Sequence, residues 1–136
     1  MTVAPPPSRL QVAQRVAAHL GHPDFDQIVE LLSPEVTYRV VGNHALAGTF
    51  NGPDQVIAHV KQVVDWTGNT YDAFKWEDWL VGEHHVAALV RIHAHSHGSV
   101  FAARLVLLFG FDLADRVSEI TICTEDTNAA ERFFGR

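Results

Sequence analysis

Histidine is the residue type in this sequence best suited to do chemistry. The chain has nine histidines, and five of them fall between residues 84 and 97. Because an imidazole changes charge near neutral pH and also ligates metals, this cluster is the first candidate site. His93, His95 and His97 alternate with other residues, so on a strand they form a row along one face.

Two imidazoles spaced in this way could bind one metal ion, which makes a metal-binding protein one interpretation of the row. The other interpretation is a solvated row, or a row in a dimer interface. We favour the second because the opposite face of the same segment is apolar and should face the core, so the row would face away from it. No metal or other cofactor is therefore predicted.

Asp78 is the carboxylate best placed for general acid–base catalysis. Residue parity puts it on the inward face of a predicted strand, between Trp76 and Leu80. Loss of water at such a position raises the pKa of a carboxyl group and suits it to proton transfer near neutral pH. The alternative is that the strand bulges there, so that Asp78 reaches water or caps a neighbouring backbone group.

His44 and Tyr38 are the other candidates for a catalytic role. His44 follows the first predicted strand and could carry a proton near neutral pH, or it could be an exposed loop residue. Tyr38 has the parity of Val36 and Val40, so it should face inward and could orient a ligand oxygen. It could equally be a core tyrosine whose hydroxyl is already satisfied.

Helices at both ends of the chain must position these residues around a block of strands. Capping signals and apolar spacing predict helices that begin near Ser8, Asp24, Gly52 and Asp126. Short turns between the last four strands predict an antiparallel meander, and helices followed by such a sheet make an α+β fold. The predicted strands are 36–41, 71–81, 86–97, 100–111 and 117–124, with a short extended arm at 46–50.

Composition limits the classes of protein to which the chain can belong. Its 136 residues are 47% hydrophobic and 19% charged, which suits one domain with a real core. We predict a disordered lead-in over 1–7 and a single domain over 8–136. A net charge of −6 argues against nucleic-acid partners and anionic membranes. The lone Cys123 and the lack of a membrane-spanning apolar stretch predict a cytoplasmic protein.

Three stretches, taken with the order of the elements, resemble the NTF2-like superfamily and in particular its SnoaL-like proteins. They are DFD at 24–26 leading to residue 36, AGTFNGPDQV at 47–56, and FGF at 109–111 followed by VSEI at 117–120. The resemblance covers about residues 8–134. It implies a cone, in which a strongly bent antiparallel sheet wraps around N-terminal helices and leaves an internal pocket. The residues expected to line that pocket are Val16, Tyr38, Val40, Phe74, Trp76, Asp78, Leu80, Val90, Ile92, Leu105, Leu107, Phe109, Ile120, Ile122 and Thr124.

The residues that carry the known chemistries of this superfamily are missing at the matching positions. Ketosteroid isomerases use a tyrosine and two aspartates where this chain has Val16, Val40 and Leu107. SnoaL-type cyclases need an acid or base at the Leu107 position. Epoxide hydrolases use an aspartate–arginine–aspartate relay, and the corresponding inward positions here are apolar: Val90 or Ile92, and Ile122.

The resemblance implies a pocket protein for a small, largely apolar ligand. It could be a cofactor-independent acid–base enzyme of the isomerase, cyclase, dehydratase or hydrolase type, with Asp78 as acid or base and Tyr38 or His44 positioning the substrate. A non-catalytic ligand-binding or interaction module is the alternative. The second face of the sheet is half apolar, so we expect it to form a homodimer.

Overall fold

The computed structural model describes residues 8–19 and 23–135. The predicted lead-in at 1–7 lies outside the described residues, as does Arg136 at the end of the predicted domain. Within the described part of the chain no helix is long and apolar enough to cross a bilayer. The elements are α1 Arg9–Ala17, α2 Phe25–Leu31, β1 Leu32–Val40, β2 Gly48–Asn51, α3 Gly52–Thr67, β3 Asp72–Val81, β4 His85–Ser96, β5 Ser99–Phe111, β6 Val117–Thr124 and α4 Thr127–Phe134.

Helices α1, α2 and α4 begin at the predicted caps because those side chains satisfy backbone N–H groups that have no partner within the helix. Ser8 accepts from the Gln11 N–H and receives a reciprocal bond from the Gln11 side chain, which completes a capping box at α1. Asp126 accepts from the Ala129 N–H at the start of α4. Helix α3 ends at Gly68, whose φ of 57° is the left-handed conformation that glycine adopts easily.

The six strands form one sheet in the order β2-β1-β6-β5-β4-β3. Strands β3 to β6 form the predicted antiparallel meander, and the α+β class is confirmed. The sheet is not wholly antiparallel, however, because β1 pairs with β6 in parallel. This pairing is possible because the long connection between β1 and β6 returns the chain to the same end of the sheet.

Alternation along the central strands decides which side chains enter the core. Val90, Ile92 and Ala94 of β4 have no exposed surface, and Leu107 and Phe109 of β5 are almost as buried. These residues form one face of the sheet, which packs with the apolar sides of the helices in one hydrophobic cluster. Burial of such a continuous apolar face is the main source of stability in a fold of this kind.

Two bulges in β3 overturn the predicted parity of that strand. Trp76 lies opposite Val90, but Asp78 rather than Glu77 lies opposite Leu89, so β3 has one extra residue at this point. A similar shift occurs between Ala73 and Lys75. Because one extra residue reverses the faces of all residues beyond it, the side chains that follow point to the opposite sides of the sheet.

Asp78 and Leu80 are consequently exposed, which contradicts their predicted inward positions. Phe74, beside the first bulge, is exposed as well. Trp79 takes the inward place, with its ring stacked 5.2 Å from that of Trp76 and 6.3 Å from that of Phe109. The Asp78 carboxylate accepts a hydrogen bond from the Trp79 N–H at 2.9 Å, as the bulge alternative predicts.

The histidine row is shorter than the sequence predicts. The rings of His93 and His95 meet edge to face with centroids 4.4 Å apart. Strand β4 ends at Ser96, and His97 enters the turn with a φ of 51° and packs against Trp66. Among the described residues no three histidine, cysteine or acidic side chains come together in a way that could hold a metal ion.

Candidate functional site

A cavity of about 70 Å³ lies between α3, the sheet and α4. One ordered water needs roughly 10 to 15 Å³, so the cavity itself can hold several waters, and because it is partly open to solvent a larger ligand would extend out of it. Of the described residues that line it, none is Asp, Glu, Lys or Arg. The residues lining this cavity are Tyr38, Val40, Val41, His44, Leu46, His59, Val60, Val63, Val64, Tyr71, Phe101, Leu105, Ile122, Thr124, Ala130 and Phe134.

His59 contributes a polar group to this apolar cavity, and it is not among the predicted site residues. It lies on α3 three residues after Val56 and directly before Val60, so helical spacing puts all three on one stripe. The side chain is only 3% exposed. A histidine within an otherwise valine-rich apolar stripe is the sequence signal that could have identified it.

The contacts of His59 fix which ring nitrogen carries the proton. Nε2 lies 2.8 Å from the carbonyl oxygen of Leu46. Since a carbonyl can only accept, Nε2 must donate, and neutral His59 keeps a lone pair on Nδ1. Nδ1 is buried and has no hydrogen-bond partner among the described residues. Burial lowers the pKa of His59 and outweighs the opposing effect of the Leu46 carbonyl, so the ring is neutral at pH 7.

His44 lies in a loop but is buried. The interpretation of His44 as an exposed loop residue is therefore wrong. His44 lies in the loop between β1 and β2 and is 8% exposed. Its ring stacks 4.8 Å from that of Phe134 on α4, and the neighbouring Ala45 N–H donates to the Gly135 carbonyl at 2.9 Å. Its Nδ1 accepts a hydrogen bond from the Leu46 N–H at 3.2 Å. The C-terminal helix therefore holds this loop over the cavity.

The pKa of His44 is lowered, first by burial and then by the proximity of His59. Glu131 opposes this shift. Two histidines in one cavity therefore both favour the neutral form, and each makes protonation of the other less favourable.

Two tyrosines complete the polar lining of the cavity. Burial raises the pKa of both Tyr38 and Tyr71, so their hydroxyls stay protonated and can donate hydrogen bonds. A hydroxyl on the wall of a cavity can donate a hydrogen bond to an oxygen atom of a ligand. Tyr71, just before β3, is a second lining residue that the sequence analysis did not identify.

The predicted site residues fall into four groups. Tyr38, Val40, Leu105, Ile122 and Thr124 line the cavity, together with the candidate His44. Val16, Leu107, Phe109 and Ile120 line a second cavity of about 30 Å³, whose wall includes Tyr38 and Ile122 as well. Val90 and Ile92 are buried in the core, and Trp76 is half-buried beside them. Phe74, Asp78 and Leu80 are exposed, so their predicted place in the pocket is wrong.

The structure thus brings Tyr38 and His44 to one cavity and leaves Asp78 out. Asp78 is exposed because the bulge at Glu77 turns it to the other side of the sheet. The groups available for chemistry in the cavity are imidazoles and hydroxyls. Neutral imidazole can act as a base or as a hydrogen-bond donor, and tyrosine can donate to a ligand oxygen.

The buried histidines make stability depend on pH, and His59→Gln tests this. In the unfolded chain His59 takes up a proton as the pH falls through about 6.5, whereas the folded state resists until the pH reaches its lowered pKa. Stability therefore falls in that window, by at most about 1.4 kcal/mol per pH unit for one proton. Gln can still donate to the Leu46 carbonyl but does not titrate.

We expect urea denaturation between pH 8 and pH 5 to show a smaller loss of stability for His59→Gln than for the wild type. His84→Gln is the matched control because the His84 side chain is 76% exposed. It should lose stability in parallel with the wild type. Equal losses for the wild type and His59→Gln would contradict a buried neutral His59.

Comparison with known proteins gives the family. The model of the SnoaL-like domain family matches residues 13–120. An uncharacterized protein of Mycobacterium tuberculosis H37Rv, Rv0034, is 28% identical over 126 residues, which cover 92% of this chain and 95% of the relative. Two similar solved structures are Bal32a from a soil-derived mobile gene cassette and an NTF2-like protein from Burkholderia xenovorans.

Both solved structures match nearly the whole chain at low identity. Bal32a has a TM-score of 0.86 at 20% identity and covers 93% of this chain and 95% of its own. The Burkholderia protein has a TM-score of 0.80 at 15% identity with the same two coverages. These likenesses confirm the predicted NTF2-like cone with its bent sheet, and the family match extends over most of the chain. The protein therefore has the NTF2-like fold and belongs to the SnoaL-like domain family.

Proposed function

We propose that the protein binds a small, uncharged and largely apolar molecule in the cavity between α3, the sheet and α4. The observation that carries this proposal is the chemistry of the lining. Valine, leucine, isoleucine and phenylalanine form most of the wall, and the polar groups are confined to two histidines, two tyrosines and Thr124. Membership of a family with internal pockets supports a small-molecule ligand in general.

No charged side chain is among the described residues that line the cavity, and this favours an uncharged ligand. An ion that entered this cavity would lose its hydration and would find no opposite charge among the lining residues. An uncharged apolar body would instead gain roughly 25 cal/mol for each Å² removed from water. Tyr38 and Tyr71 can then donate hydrogen bonds to an oxygen atom of the ligand.

Filling the cavity tests this proposal. Val63 lines the cavity from α3, and Val63→Phe adds bulk to the space that a ligand would occupy. Val29→Phe is the matched control, because Val29 is exposed on α2 and does not line the cavity. Ligand-observed NMR titrations with 2-naphthol as an uncharged probe and 2-naphthoate as a charged one would give the affinities.

We expect 2-naphthol to bind the wild type and Val29→Phe equally well, and Val63→Phe about tenfold more weakly or worse. The tenfold loss corresponds to about 1.4 kcal/mol. We expect 2-naphthoate to bind more weakly than 2-naphthol to the wild type. Equal affinity of 2-naphthol for both variants, or preference for the charged probe, would contradict the proposal.

An acid–base enzyme that needs no cofactor is a second candidate, favoured by the two neutral histidines in one cavity. His59 Nδ1 would take a proton from a carbon beside a carbonyl group, while His44 or a tyrosine would donate to the carbonyl oxygen. This assigns to His59 the role of base that the sequence predicts for Asp78. A pocket with the same groups and no turnover is the non-catalytic alternative.

Hydrogen–deuterium exchange at carbon distinguishes these two candidates. Acetophenone in D₂O would exchange its methyl protons faster with the wild type than without protein, and proton NMR would follow the loss of signal. His59→Gln should abolish the acceleration, whereas Asp78→Asn should retain it because Asp78 is exposed on the far side of the sheet. No acceleration by the wild type would favour the non-catalytic module, and loss in Asp78→Asn alone would contradict the assignment to His59.

We also propose that the protein is a cytoplasmic homodimer, as the sequence predicts. Leu80 and Val106 are exposed apolar side chains on the outer face of the sheet. Nearby, Glu77 bridges the guanidinium groups of Arg104 and Arg91 at 2.9 and 3.2 Å. An apolar face around a fixed ion-pair network supports a second copy as the partner. Sedimentation equilibrium should give twice the chain mass, and the mass of one chain at micromolar concentration would contradict it.

A further inference from the structure

One residue, Leu46, makes hydrogen bonds to both histidines of the cavity through its own peptide groups. Its N–H donates to Nδ1 of His44 at 3.2 Å, and its carbonyl oxygen accepts from Nε2 of His59 at 2.8 Å. Leu46 lies in the loop between β1 and β2, whereas His59 lies on α3. A single point on the loop therefore orients imidazoles that come from two different elements.

These two bonds give the histidines opposite roles. An N–H can only donate, so Nδ1 of His44 must carry a lone pair, and the proton of neutral His44 lies on Nε2. A carbonyl can only accept, so Nε2 of His59 carries the proton and its Nδ1 carries the lone pair. The remaining nitrogen is therefore a donor in His44 and an acceptor in His59.

The acceptor of this pair has no partner among the residues that the structure describes. His59 Nδ1 is buried, and the ring is enclosed by Tyr38 and Phe50 at centroid distances of 5.2 and 4.3 Å. Buried polar atoms in folded proteins nearly always have a hydrogen-bond partner. His59 also lines the cavity, so a ligand bound there is our candidate for the missing donor.

We propose that the Leu46 peptide fixes His44 and His59 as a donor–acceptor pair, and that the cavity takes an uncharged ligand with a hydrogen-bond acceptor next to a hydrogen-bond donor. An α-hydroxyketone has this chemistry, because its carbonyl accepts from His44 Nε2 while its hydroxyl donates to His59 Nδ1. The proposal rests on the function proposed above and names the chemical class of the ligand. Leu46 is a positioning residue in this account, since it acts through the two rings.

The protonation of the ring nitrogens tests the first half of the proposal without any ligand. Long-range ¹H–¹⁵N correlation spectra at pH 7.5 distinguish a protonated ring nitrogen from one with a lone pair. We expect the proton on Nε2 in both His44 and His59. A proton on Nδ1 of either ring, or a mixture of the two forms, would overturn the assigned pair.

Substitution of Leu46 separates the two bonds. Leu46→Pro removes the N–H and keeps the carbonyl, so His44 should lose its preference for the Nε2 proton while His59 retains it. Leu46→Ala keeps both peptide groups and should leave both rings as in the wild type. An unchanged His44 in a folded Leu46→Pro protein would overturn the role of the peptide. If Leu46→Pro does not fold, the long-range spectra of the wild type alone test the assigned protonation of His44 and His59.

Three related probes test the chemical class of the ligand. They are α-hydroxyacetophenone, which has both groups, and acetophenone and α-methoxyacetophenone, which lack the donor. We expect α-hydroxyacetophenone to bind the wild type about fivefold more tightly than the other two, as one additional hydrogen bond allows. His59→Gln should remove this advantage, because Gln has no lone pair at the place of Nδ1 once its amide donates to Leu46.

The two proposals fail in different ways. If all three probes bind the wild type equally and Val63→Phe weakens them all, the cavity is a binding site but the donor–acceptor pair does not select the ligand. If Val63→Phe leaves the affinity of all three unchanged, the cavity is not the binding site and the proposed function fails as well.

Discussion

Leu107→Ala is expected to lower the free energy of unfolding by about 2 to 5 kcal/mol. Leu107 is 1% exposed and lies in the middle of β5, opposite Ala88 of β4 and Ile122 of β6. It also lines the smaller cavity, so the space left by its side chain would extend an existing void rather than collapse. The upper part of the range is therefore expected.

Val106→Ala is the control for this prediction, and urea denaturation measures both. Val106 precedes Leu107 on β5 but points to the outer face and is 40% exposed. Its truncation should cost about 1 kcal/mol or less in the monomer. Equal losses from the two substitutions would contradict the placement of Leu107 in the core.

Trp79→Ala is expected to cost about 3 kcal/mol, near the lower end for a large core aromatic because Trp79 is only half-buried. The loss comes from the stack that joins Trp76, Trp79 and Phe109 on the inner face of the sheet. Aromatic pairs contribute stability beyond the area that they bury. Thermal and urea unfolding of the variant would give the size of the effect.

Leu80→Ala is the variant to compare with Trp79→Ala, because the two together show which side chain of β3 faces the core. The parity of the sequence alone puts Leu80 inside and Trp79 outside, whereas the bulge at Glu77 reverses them and leaves Leu80 52% exposed. Leu80→Ala should therefore change stability by about 0.5 kcal/mol or less in the monomer. A larger loss of monomer stability from Leu80→Ala than from Trp79→Ala, measured at a concentration where the homodimer is dissociated, would mean that β3 is not bulged.

Elements specified by local signals could be predicted from the sequence. Ser8 and Gln11 mark the start of α1, Gly68 marks the end of α3, and β6 spans the predicted 117–124. Each of these depends on caps, apolar spacing or turn residues within a few positions of one another. The family resemblance then supplied the cone and the existence of a pocket.

Features that depend on distant parts of the chain could not be predicted. Nothing near Glu77 in the sequence specifies the extra residue in β3, and that single bulge moved Asp78 out of the site. The burial of His44 depends on Phe134, ninety positions further along the chain. The parallel pairing of β1 with β6 is likewise a property of the closed sheet.

His59 is a different case, because its signal was present in the sequence. It occupies the apolar stripe of α3 between Val56 and Val63, where a buried histidine is unusual. The segment around His93 contains most of the histidines, but its histidines lie on the outer face of the sheet or in a turn. Position on a buried stripe was the better guide to the site.

The most direct test of the account is a map of where 2-naphthol binds, read from the side-chain proton shifts along β6, because side chains alternate between the two faces of a strand. Ile122 and Thr124 line the cavity, whereas Thr121 and Cys123 alternate with them and point to the outer face. We expect the largest shifts in β6 at Ile122 and Thr124, accompanied by changes in the ring signals of His44 and His59. Shifts confined to the outer face, with both rings unchanged, would contradict it.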